Sequence, residues 1–560
     1  MNPASSSGAP ALSRRAALAG LAVAGAGLGG CLREQGARPS SWQGGWVGDI
    51  TALGHRWRDD AAWRSNTAAA AGVQRRADVI ILGGGVAGLA AARALREQGV
   101  EDIAVLEPHA SPGGNSRGHV LAGRRCPMGA HYLPTPGDAA PELQRWLLQL
   151  GLARQQGTGL VWDERALCHA PQERLWFDGT WHAGLLPPWE AGSAGWQQAR
   201  RLAQLTAALM REQRFAMPSQ AVPWTPTLAA LDAQTFAAWL DAQGLDDPAL
   251  RWYLDYCCRD DYGAPAAVVS AWAGLQYFCS RHGFLAPDTP EAEASQEPVL
   301  TWPEGNAWLV ERLASGLDSR LHLNRLALQV VPGRQGVEVL AWRADEQQVE
   351  RWQAQQVVLA VPLAMGARLL GEQAPAALQT ALRAQRVAPW LVANVLLSRE
   401  PLERPGQLPA WDNVAYGQAS LGYVRAQHQL VQAQPRGSSV VLTAYEALGP
   451  EQRQALAEEP WQHWAERVVK HLAVMHPDLP ATVQQVDLVR HGHAMSTPVP
   501  GTRSSPALAL LREAGSLGPR VHWAHADLVG YSVFEEAFTL GDAVGRRVAS
   551  RWVGSSPRRS

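Results

Sequence analysis

The sequence predicts an α/β fold in which a parallel-sheet domain is interleaved with an α+β domain, and three observations support this class. Two short, continuous apolar runs, 79–82 and 103–106, have the length and composition of strands buried on both faces. A glycine-rich turn and an Ala/Leu-rich helix separate them, as in a βαβ unit. A third such run, 357–361, occurs far along the chain, after stretches with helical and strand-like patterns of their own.

The composition is that of a globular protein and excludes several functional classes. The 560 residues include 46% hydrophobic and 18% charged side chains. The formal net charge of −1 gives no electrostatic basis for binding nucleic acid. The six cysteines form no CxxC pair and no Cys/His spacing typical of a metal site, so no metal ligands are predicted. Only one of the 50 basic residues is a lysine, Lys470.

The first 31 residues have the pattern of an export signal. Arg14 and Arg15 precede a short run rich in Ala, Gly and Leu, and no acidic residue occurs before Glu34. The paired arginines resemble a twin-arginine signal, and residues 28–31 resemble a bacterial lipobox. We therefore expect export to the periplasm by the twin-arginine route, with Cys31 as a lipid anchor at the membrane. The alternative is a plain twin-arginine signal with a chance cysteine.

The first βαβ unit carries a dinucleotide-binding motif. Gly83 permits a tight turn, Gly85 lets the backbone approach a pyrophosphate, and Gly88 lets the helix pack closely on the strand. Glu107 ends the second strand, 19 residues after Gly88, where an acid accepts from ribose hydroxyls and repels a 2′-phosphate. The domain is therefore expected to be Rossmann-like. Its candidate cofactor-binding residues are Gly83, Gly85, Val86, Ala87, Gly88 and Glu107.

The residues after Glu107 distinguish FAD from NAD. Residues 108–117 read PHASPGGNSR, and this Gly-Gly turn with a nearby arginine resembles the segment that holds the FAD pyrophosphate in the flavin amine oxidase and phytoene desaturase superfamily. Residues 126–132 resemble the stretch of that family that passes the isoalloxazine ring. The resemblance implies a GR2-type FAD-binding domain. The cofactor-binding residues that it adds here are Gly113, Gly114, Asn115, Arg117, Met128, Gly129 and Ala130.

Further blocks along the chain resemble the same family. Leu326 lies in a segment similar to the adenine-flanking one, and Pro362 ends a strand similar to the family's second-site strand. Near the C-terminus, Asp527 corresponds to an acid at the pyrophosphate or ribityl chain, and a helix that includes Glu536 and Ala537 points its N-terminus at the flavin pyrimidine. The family usually has glycine where this chain has Glu536. An extra acid there is expected to disfavour the reduced, anionic flavin.

The resemblance also implies a domain organisation. After the signal (1–31), an N-terminal extension (32–76) contains several tryptophans, which suggests that part of it packs on the body. The FAD-binding domain is expected to combine three separate blocks, and the substrate domain is expected to combine the two stretches between them. The FAD-binding blocks are 77–185, 301–375 and 501–555, and the substrate blocks are 186–300 and 376–500.

Candidate catalytic residues are polar or aromatic groups near these blocks. His131, Tyr132, His493 and Tyr531 are the first choices for groups that face the flavin or the substrate. Other aromatic residues in the strand-like runs of 376–500 suit a pocket wall, although such residues more often belong to a structural core. The paired acids Asp260 and Asp261 are expected to face solvent or cap a loop.

The scarcity of lysine bears on the chemistry. Classical amine oxidases of the family place a lysine near flavin N5, and the only candidate in this chain is Lys470. The apolar stripe of its helix includes Val468 and Leu472, so Lys470 is predicted to point to solvent. No cysteine occurs in 501–555, so the FAD is expected to be noncovalent.

The leading functional hypothesis is an FAD-dependent, amine-oxidase-like oxidoreductase that transfers hydride from a small substrate, an amine or polyamine, to flavin N5. Two alternatives stay open. One is a desaturase or dehydrogenase of an apolar substrate, which a tunnel lined only by Leu, Val and Trp would favour, whereas clustered acids at the entrance of the tunnel would favour amines. The other is a non-catalytic FAD-binding partner subunit in the cell envelope.

Overall fold

Two sheets organise the chain from residue 43 onward, a parallel one and a larger mixed one. The computed structural model describes residues 42–70, 72–288, 298–430, 437–513 and 515–553. The predicted signal and Cys31 therefore lie outside the described residues. Within the part that is described, no helix has both the length and the apolar character needed to cross a membrane.

The strands are, in chain order, β1 (Gln43–Trp46), β2 (Val73–Arg76), β3 (Val79–Leu82), β4 (Ile103–Leu106), β5 (Gly118–Leu121), β6 (Arg124–Pro127), β7 (Tyr132–Pro134), β8 (Ala153–Gln156), β9 (Gly159–Trp162), β10 (Glu173–Phe177), β11 (Thr180–Ala183), β12 (Val299–Thr301), β13 (Leu321–His322), β14 (Arg325–Pro332), β15 (Val337–Arg343), β16 (Gln348–Ala354), β17 (Gln356–Leu359), β18 (Arg386–Leu397), β19 (Asp412–Ala415), β20 (Tyr423–Arg425), β21 (Val440–Ala447), β22 (Val483–Thr497) and β23 (Val521–Trp523).

The α-helices are, in the same order, α1 (Thr51–Asp59), α2 (Ala61–Ala69), α3 (Val86–Glu97), α4 (Pro141–Gln149), α5 (Ala194–Glu212), α6 (Pro226–Asp232), α7 (Phe236–Ala242), α8 (Pro248–Tyr262), α9 (Ala271–Cys279), α10 (Ala307–Ala314), α11 (Leu363–Leu370), α12 (Ala376–Ala384), α13 (Arg453–Glu458), α14 (Trp461–Met475), α15 (Pro506–Arg512) and α16 (Phe534–Val553).

The parallel sheet has the order β13-β4-β3-β17-β23. Every residue of β3 and β4 is buried, which explains their unbroken apolar sequences, since each buried aliphatic side chain contributes about 1.5–3 kcal/mol. In register, Ile81 pairs with Val105 on one side and with Val358 on the other. The carboxyl ends of β3, β4, β17 and β23 therefore meet at one edge, where ligands bind in sheets of this kind.

Helices α3 and α16 pack against each other at unusually short range beside this edge. A Cβ atom on Gly541 would lie 2.1 Å from the Ala87 carbonyl oxygen, and one on Gly545 would lie 2.5 Å from that of Ala91. Only glycine allows this approach. The contact fixes the N-terminal half of α16 relative to the turn that follows β3.

The mixed sheet has eight strands in the order β1-β22-β18-β21-β20-β19-β10-β11, and helices α5–α9 share a hydrophobic core with it. Its strands come mostly from the predicted substrate block 376–500. Residues 173–183, which the sequence places in the FAD-binding block 77–185, belong to this sheet as β10 and β11. Strand β1 extends it from the N-terminal extension, in parallel with β22.

Candidate active site

The turn after β3, which we call the cradle, has glycines at positions where a side chain would collide with neighbouring backbone. Gly83 has φ +104°, and a Cβ atom on it would lie 2.4 Å from the Ala360 carbonyl oxygen. A Cβ atom on Gly88 would lie 1.9 Å from the carbonyl oxygen of Gly83. Gly85 then precedes the first helical residue, Val86, so the free N–H groups of the first turn of α3, which includes Ala87, are available to an anion.

Glu107 lies directly beside this turn. One of its carboxylate oxygens accepts from the Gly84 backbone N–H at 2.8 Å, and the other accepts from the His109 backbone N–H at 3.0 Å. The side chain is 3% exposed. These contacts hold the carboxylate at the carboxyl end of the parallel sheet, which is the position from which an acid reaches a ribose.

A second glycine turn meets the first. The Gly113 N–H donates to the Gly84 carbonyl at 2.7 Å, and a Cβ atom on Gly114 would lie 3.4 Å from the Cα atom of Gly85. Gly114 has φ +56°, which favours glycine. The 113–114 turn thereby brings a second run of backbone to the motif, as the resemblance implies.

Arg117 completes the cradle. Its guanidinium is buried and donates to the carbonyl oxygens of Gly114 at 3.2 Å and Gly48 at 3.3 Å. Burial lowers its pKa, and among the described residues no carboxylate forms an ion pair with it. A buried guanidinium of this kind, next to two glycine turns and a helix N-terminus, fits the pyrophosphate of FAD.

The segment 128–130 lies alongside 115–117. The Met128 N–H donates to the Arg117 carbonyl at 2.9 Å, and the Ala130 N–H donates to the Asn115 carbonyl at 2.8 Å. A Cβ atom on Gly129 would lie 2.2 Å from that same carbonyl oxygen. The side chain of Asn115 donates to the Ala494 carbonyl on β22 at 2.5 Å. These contacts connect the FAD-binding blocks to the mixed sheet.

The Asp527 carboxylate holds neighbouring backbone and side-chain groups in place by hydrogen bonds. Its carboxylate accepts from the Leu363 backbone N–H at 2.9 Å and from the Ser496 hydroxyl at 2.7 Å. Burial alone would raise its pKa, but His525 and these hydrogen bonds hold the pKa well below its usual range. Pro362 precedes Leu363 at the start of α11, so Asp527 fixes the end of that predicted cofactor strand.

The two acids at the start of α16 are buried. Glu536 accepts from the Ser219 backbone N–H at 2.5 Å, so that oxygen is directed to the 219–221 turn. Burial raises the pKa of Glu536 and raises that of Glu535 to about 7. A raised pKa shifts both groups towards their neutral form, and such a shift would weaken the expected electrostatic penalty on a reduced flavin. Ala537 lies on the next position of α16, and Leu326 is buried in β14.

The second part of the site is a small cavity, of about 50 Å³, beside the mixed sheet. Three carboxylates line it, from Glu173 on β10, Asp260 on α8 and Asp412 on β19, together with the guanidinium of Arg281. Aromatic rings form a large part of its wall, beside aliphatic and polar side chains. The aromatic and imidazole side chains that line it are His131, Tyr132, Tyr256, Tyr277, Trp411 and Tyr445.

Burial strongly affects the carboxyl groups of this cavity. It raises the pKa of Asp260 to about 7, with a further increase from Asp261 and Glu173. Burial, followed by the charges of Glu173 and Asp260, raises the pKa of Asp412 well above its usual value. Ionising all three carboxyl groups at once is therefore unfavourable unless a positive charge is added to that of Arg281.

His131 is a neutral part of the cavity wall. Burial lowers its pKa to about 3, and its ring stacks on Tyr445 with centroids 4.6 Å apart. The Tyr445 hydroxyl donates to the Gly129 carbonyl at 3.0 Å. This hydrogen bond joins the aromatic wall of the cavity to the segment that is predicted to pass the isoalloxazine ring.

The structure brings together only two of the four predicted catalytic residues. His131 and Tyr132 line the cavity, whereas His493 and Tyr531 are not among its lining residues. The His493 side chain is exposed on β22. Tyr531 is fully buried against Tyr262, with ring centroids 5.7 Å apart.

The prediction that Asp260 and Asp261 face solvent is wrong. Asp260 lines the cavity, and Asp261 is only 7% exposed. Sequence spacing could have indicated this for Asp261, because it continues the buried stripe of Leu254, Cys257 and Cys258 on α8. Glu173 and Asp412 were not predicted as site residues, because no local sequence pattern marks them. They come together only when the distant strands β10 and β19 pair.

The structure confirms the prediction that Lys470 points to solvent. Its side chain is exposed on α14, whereas Val468 and Leu472 of the same helix are buried. Lys470 does not line the cavity. Since the chain has no other lysine, no lysine ammonium is available at the candidate site.

Comparison with solved structures supports this architecture. A putrescine oxidase bound to putrescine matches with a TM-score of 0.63 at 19% identity, covering 86% of this chain and all of that chain. The cyclohexylamine oxidase of Brevibacterium oxydans matches with a TM-score of 0.62 at 17% identity, over 85% of this chain and 99% of that one. At such low identity these similarities establish the fold.

Sequence comparison identifies relatives and a family. The coproporphyrinogen III oxidases of Mycobacterium tuberculosis and Mycobacterium bovis are 27% identical over 307 residues, which is 53% of this chain and 61% of theirs. The chain thus matches less than two thirds of the length of these curated relatives. The model of the flavin-containing amine oxidoreductases matches residues 86–548, well over half of the chain. The protein therefore belongs to this family of FAD-dependent oxidoreductases.

Proposed function

We propose that this FAD-dependent oxidoreductase acts on a small, cationic amine. The observation that carries the proposal is the cavity that Glu173, Asp260 and Asp412 line together with several aromatic side chains. Carboxylates attract an ammonium group, and aromatic faces bind it by cation–π interaction. A volume of about 50 Å³ suits a small substrate.

The two parts of the site have separate tasks. The glycine turns, the first turn of α3, Glu107 and Arg117 would hold the cofactor, and FAD when bound supplies a hydride acceptor. The cavity residues bind and orient the substrate. His131 has a pKa of about 3, so it is neutral at physiological pH and adds no positive charge that would repel an amine.

A carboxyl group of raised pKa also suits the proton chemistry of an amine. Hydride leaves a neutral amine more readily than an ammonium, so a group that accepts a proton near neutral pH assists the reaction. Asp260, with a pKa of about 7, has the required value and lines the cavity. The exposed Lys470 cannot take this role.

The two alternative oxidoreductase substrates receive less support. Coproporphyrinogen, the substrate named for the mycobacterial relatives, carries several carboxylates, which the acidic cavity would repel. An apolar substrate would leave the cavity carboxyl groups buried without a charged or polar partner from the ligand. Both substrate classes are included in the following test, for comparison with the amines.

The test is anaerobic reduction of the bound flavin. Purified holoprotein is mixed with a panel of amines, with coproporphyrinogen III and with a fatty acid, and the visible absorption of oxidised flavin is followed. We expect bleaching by amines. Bleaching by coproporphyrinogen III alone would replace the amine assignment, and bleaching by dithionite but by no substrate would favour the non-catalytic partner role.

We further propose that the protein is exported by the twin-arginine route and anchored at Cys31. The pattern of residues 13–31 supports this proposal. Replacing both arginines, Arg14→Lys with Arg15→Lys, should retain the protein in the cytoplasm. Replacing Cys31→Ala should release the exported protein from the membrane fraction; export and membrane association that are unchanged in these variants would contradict the respective part of the proposal.

A further inference from the structure

A second cavity, with a lining separate from that of the candidate active site, lies beside α16. Helices α15 and α16, strand β23 and the turn 218–221 provide most of its wall, and we call it the α15–α16 cavity. It shares no lining residue with the cradle or with the cavity of the three carboxylates. Its volume is about 280 Å³, whereas a cavity of about 150 Å³ is enough to bind benzene. It therefore has room for a phenyl ring with a short polar substituent.

The face of α16 that lines this cavity differs from the face that contacts α3. Gly541 and Gly545 are the residues that approach α3. Leu540, Val544 and Arg547 line the cavity instead, and their spacing of four and three residues places them on one face of the helix. The cavity wall is thus part of a helix that is already fixed by close packing on its other side.

Two guanidinium groups line the cavity from different elements. Arg512 is the last residue of α15, and Arg547 lies in the C-terminal half of α16. In the described ranges, neither guanidinium forms an ion pair with a carboxylate. The exposed acids next to lining positions in the chain, Asp138 and Glu513, pair with neither of them. Arg512 donates to the Leu528 carbonyl at 2.6 Å, which uses one of the five N–H donors of a guanidinium.

The neighbouring Arg546 shows the contrast on the same helix. Its side chain is 30% exposed, and its guanidinium lies 2.7 Å from Asp542, 3.0 Å from Glu97 and 3.2 Å from Glu142. Arg547, at the next position, lines the cavity and has no such partner in the part of the chain that the structure describes. One residue of this pair is therefore matched by acids within the protein, and the other is available to a ligand.

The charges around the two cavity arginines are mostly positive. Burial lowers the pKa of Arg512 to about 10 and also lowers that of Arg547, so both remain cationic at neutral pH. The charge of Arg503 further lowers the pKa of Arg512, with Glu536 acting in the opposite direction, and the charge of Arg551 further lowers that of Arg547. An anion in the cavity would offset this repulsion between cations.

The rest of the wall is largely apolar. Trp523, Leu540 and Val544 are buried residues that line the cavity. The Thr539 hydroxyl and the Gln220 amide are neutral polar groups of the same wall. Sites with apolar walls and a few polar or charged groups bind small molecules that carry both kinds of surface. The lining thus fits a ligand that joins an anionic group to an apolar one.

We propose that the α15–α16 cavity binds a small organic carboxylate, with Arg512 and Arg547 at its carboxylate group and with Leu540, Val544 and Trp523 around an apolar part about the size of a phenyl ring. Two guanidinium groups match the two oxygens of a carboxylate, whereas a phosphate needs donors for three terminal oxygens. No acid is among the described residues that line this cavity, so it does not suit an amine. The inference is therefore independent of the proposed amine substrate.

The test compares two ligands that differ in charge and hardly in size. The holoprotein is titrated by calorimetry with 3-phenylpropionate and with 3-phenylpropanamide. We expect a dissociation constant on the order of 0.1–1 mM for the carboxylate. The uncharged amide should bind at least about 10-fold more weakly, because hydrogen bonds to charged groups are the stronger ones. Equal affinities, or no binding of the carboxylate at 10-fold higher concentration, would overturn the proposal.

Glutamine variants locate the binding site. Arg547→Gln and Arg512→Gln should each weaken the binding of 3-phenylpropionate by about 10-fold. The matched control is Arg383→Gln, an exposed arginine on α12, which removes the same charge and should leave the affinity unchanged. Because Arg512 also holds the Leu528 carbonyl, flavin content and thermal unfolding verify that each variant is folded, and Arg547→Gln is the decisive change. Wild-type affinity in Arg547→Gln, or an equal loss in the control, would show that the carboxylate binds elsewhere and would overturn the proposal.

Discussion

At the scale of single residues, the cavity acids have protonation equilibria unlike those of exposed acids. Asp260 and Asp412 are surrounded by aromatic rings, and burial is the main reason that their pKa values are raised. Burial has the opposite effect on an imidazole, and it lowers the pKa of His131 to about 3. The same wall therefore favours uncharged acids and an uncharged imidazole.

The pKa of Asp260 predicts a pH dependence of stability. The folded-state pKa of about 7 is above the ordinary value of 3.8, so the folded protein retains a proton that the unfolded chain releases. The contribution of Asp260 to the free energy of unfolding is thus complete below about pH 4 and is lost as the pH rises through about 7. Asp260→Asn should not undergo this loss.

The measurement is thermal unfolding of the wild type and of Asp260→Asn over this pH range. The variant should become more stable relative to the wild type as the pH increases. Asp178→Asn, a change at an exposed acid in the turn between β10 and β11, is the control and should follow the wild type. Parallel curves for all three proteins would contradict the raised pKa.

At the scale of elements, glycines determine how closely helices and turns approach. Gly88 and Gly83 bring α3 onto its own turn, and Gly541 and Gly545 bring α16 onto α3. The motif glycines were predictable because their spacing is local. The α3–α16 contact was not, because it joins residues more than 400 positions apart and depends on the packing of both helices on the sheet.

Gly545→Ala tests the helix contact. Its Cβ atom would lie 2.5 Å from the Ala91 carbonyl oxygen and 2.8 Å from the Ala94 Cβ atom, so the helices must separate. We expect a loss of about 1–3 kcal/mol in the free energy of unfolding, typical of overpacking. Gly54→Ala on α1, where a Cβ atom has no neighbour within 4 Å, should be neutral or stabilising by comparison. Equal effects would argue against the close contact.

At the scale of the whole molecule, the N-terminal extension connects parts that the sequence separates. Strand β1 pairs with the mixed sheet, and β2 pairs in parallel with β16 of the four-stranded sheet β14-β15-β16-β2. Between them, Gly48 accepts from Arg117 of the cofactor cradle. The tryptophans suggested that the extension packs on the body, but no local pattern indicated which strands it joins or that it reaches Arg117.

This arrangement predicts that the extension helps to retain FAD. Arg490 on β22 holds the extension, since its Nε atom lies 3.0 Å from Asp49 and its guanidinium stacks on the Trp46 ring. Arg490→Gln should loosen these contacts and increase the rate of FAD release after dilution by several-fold. Flavin fluorescence gives this rate directly. The control is Arg399→Gln, which removes an ion pair with Asp478 elsewhere, and an equal release rate in the two variants would contradict the retention role.

Whether a feature could be predicted from the sequence depends on how far apart in the chain its residues lie. The cradle around Gly83, Glu107 and Arg117 lies within a short segment with a known pattern, so its residues could be named in advance. The candidate cavity combines Glu173, Asp260 and Asp412, whose proximity depends on strand pairing and on the placement of α8. Buried carboxyl groups are also uncommon, so an acidic pair in a sequence normally indicates a solvent-facing position.

The single exposed lysine on α14 has a practical consequence. Apart from the α-amino terminus, reagents that acylate amines encounter only one amine in the entire sequence, the side chain of Lys470, and it does not line the candidate cavity. A fluorophore, a biotin or a solid support can therefore be attached at one defined side chain without introducing a cysteine. Single-molecule and surface-based measurements can then be made on a protein held at a known point.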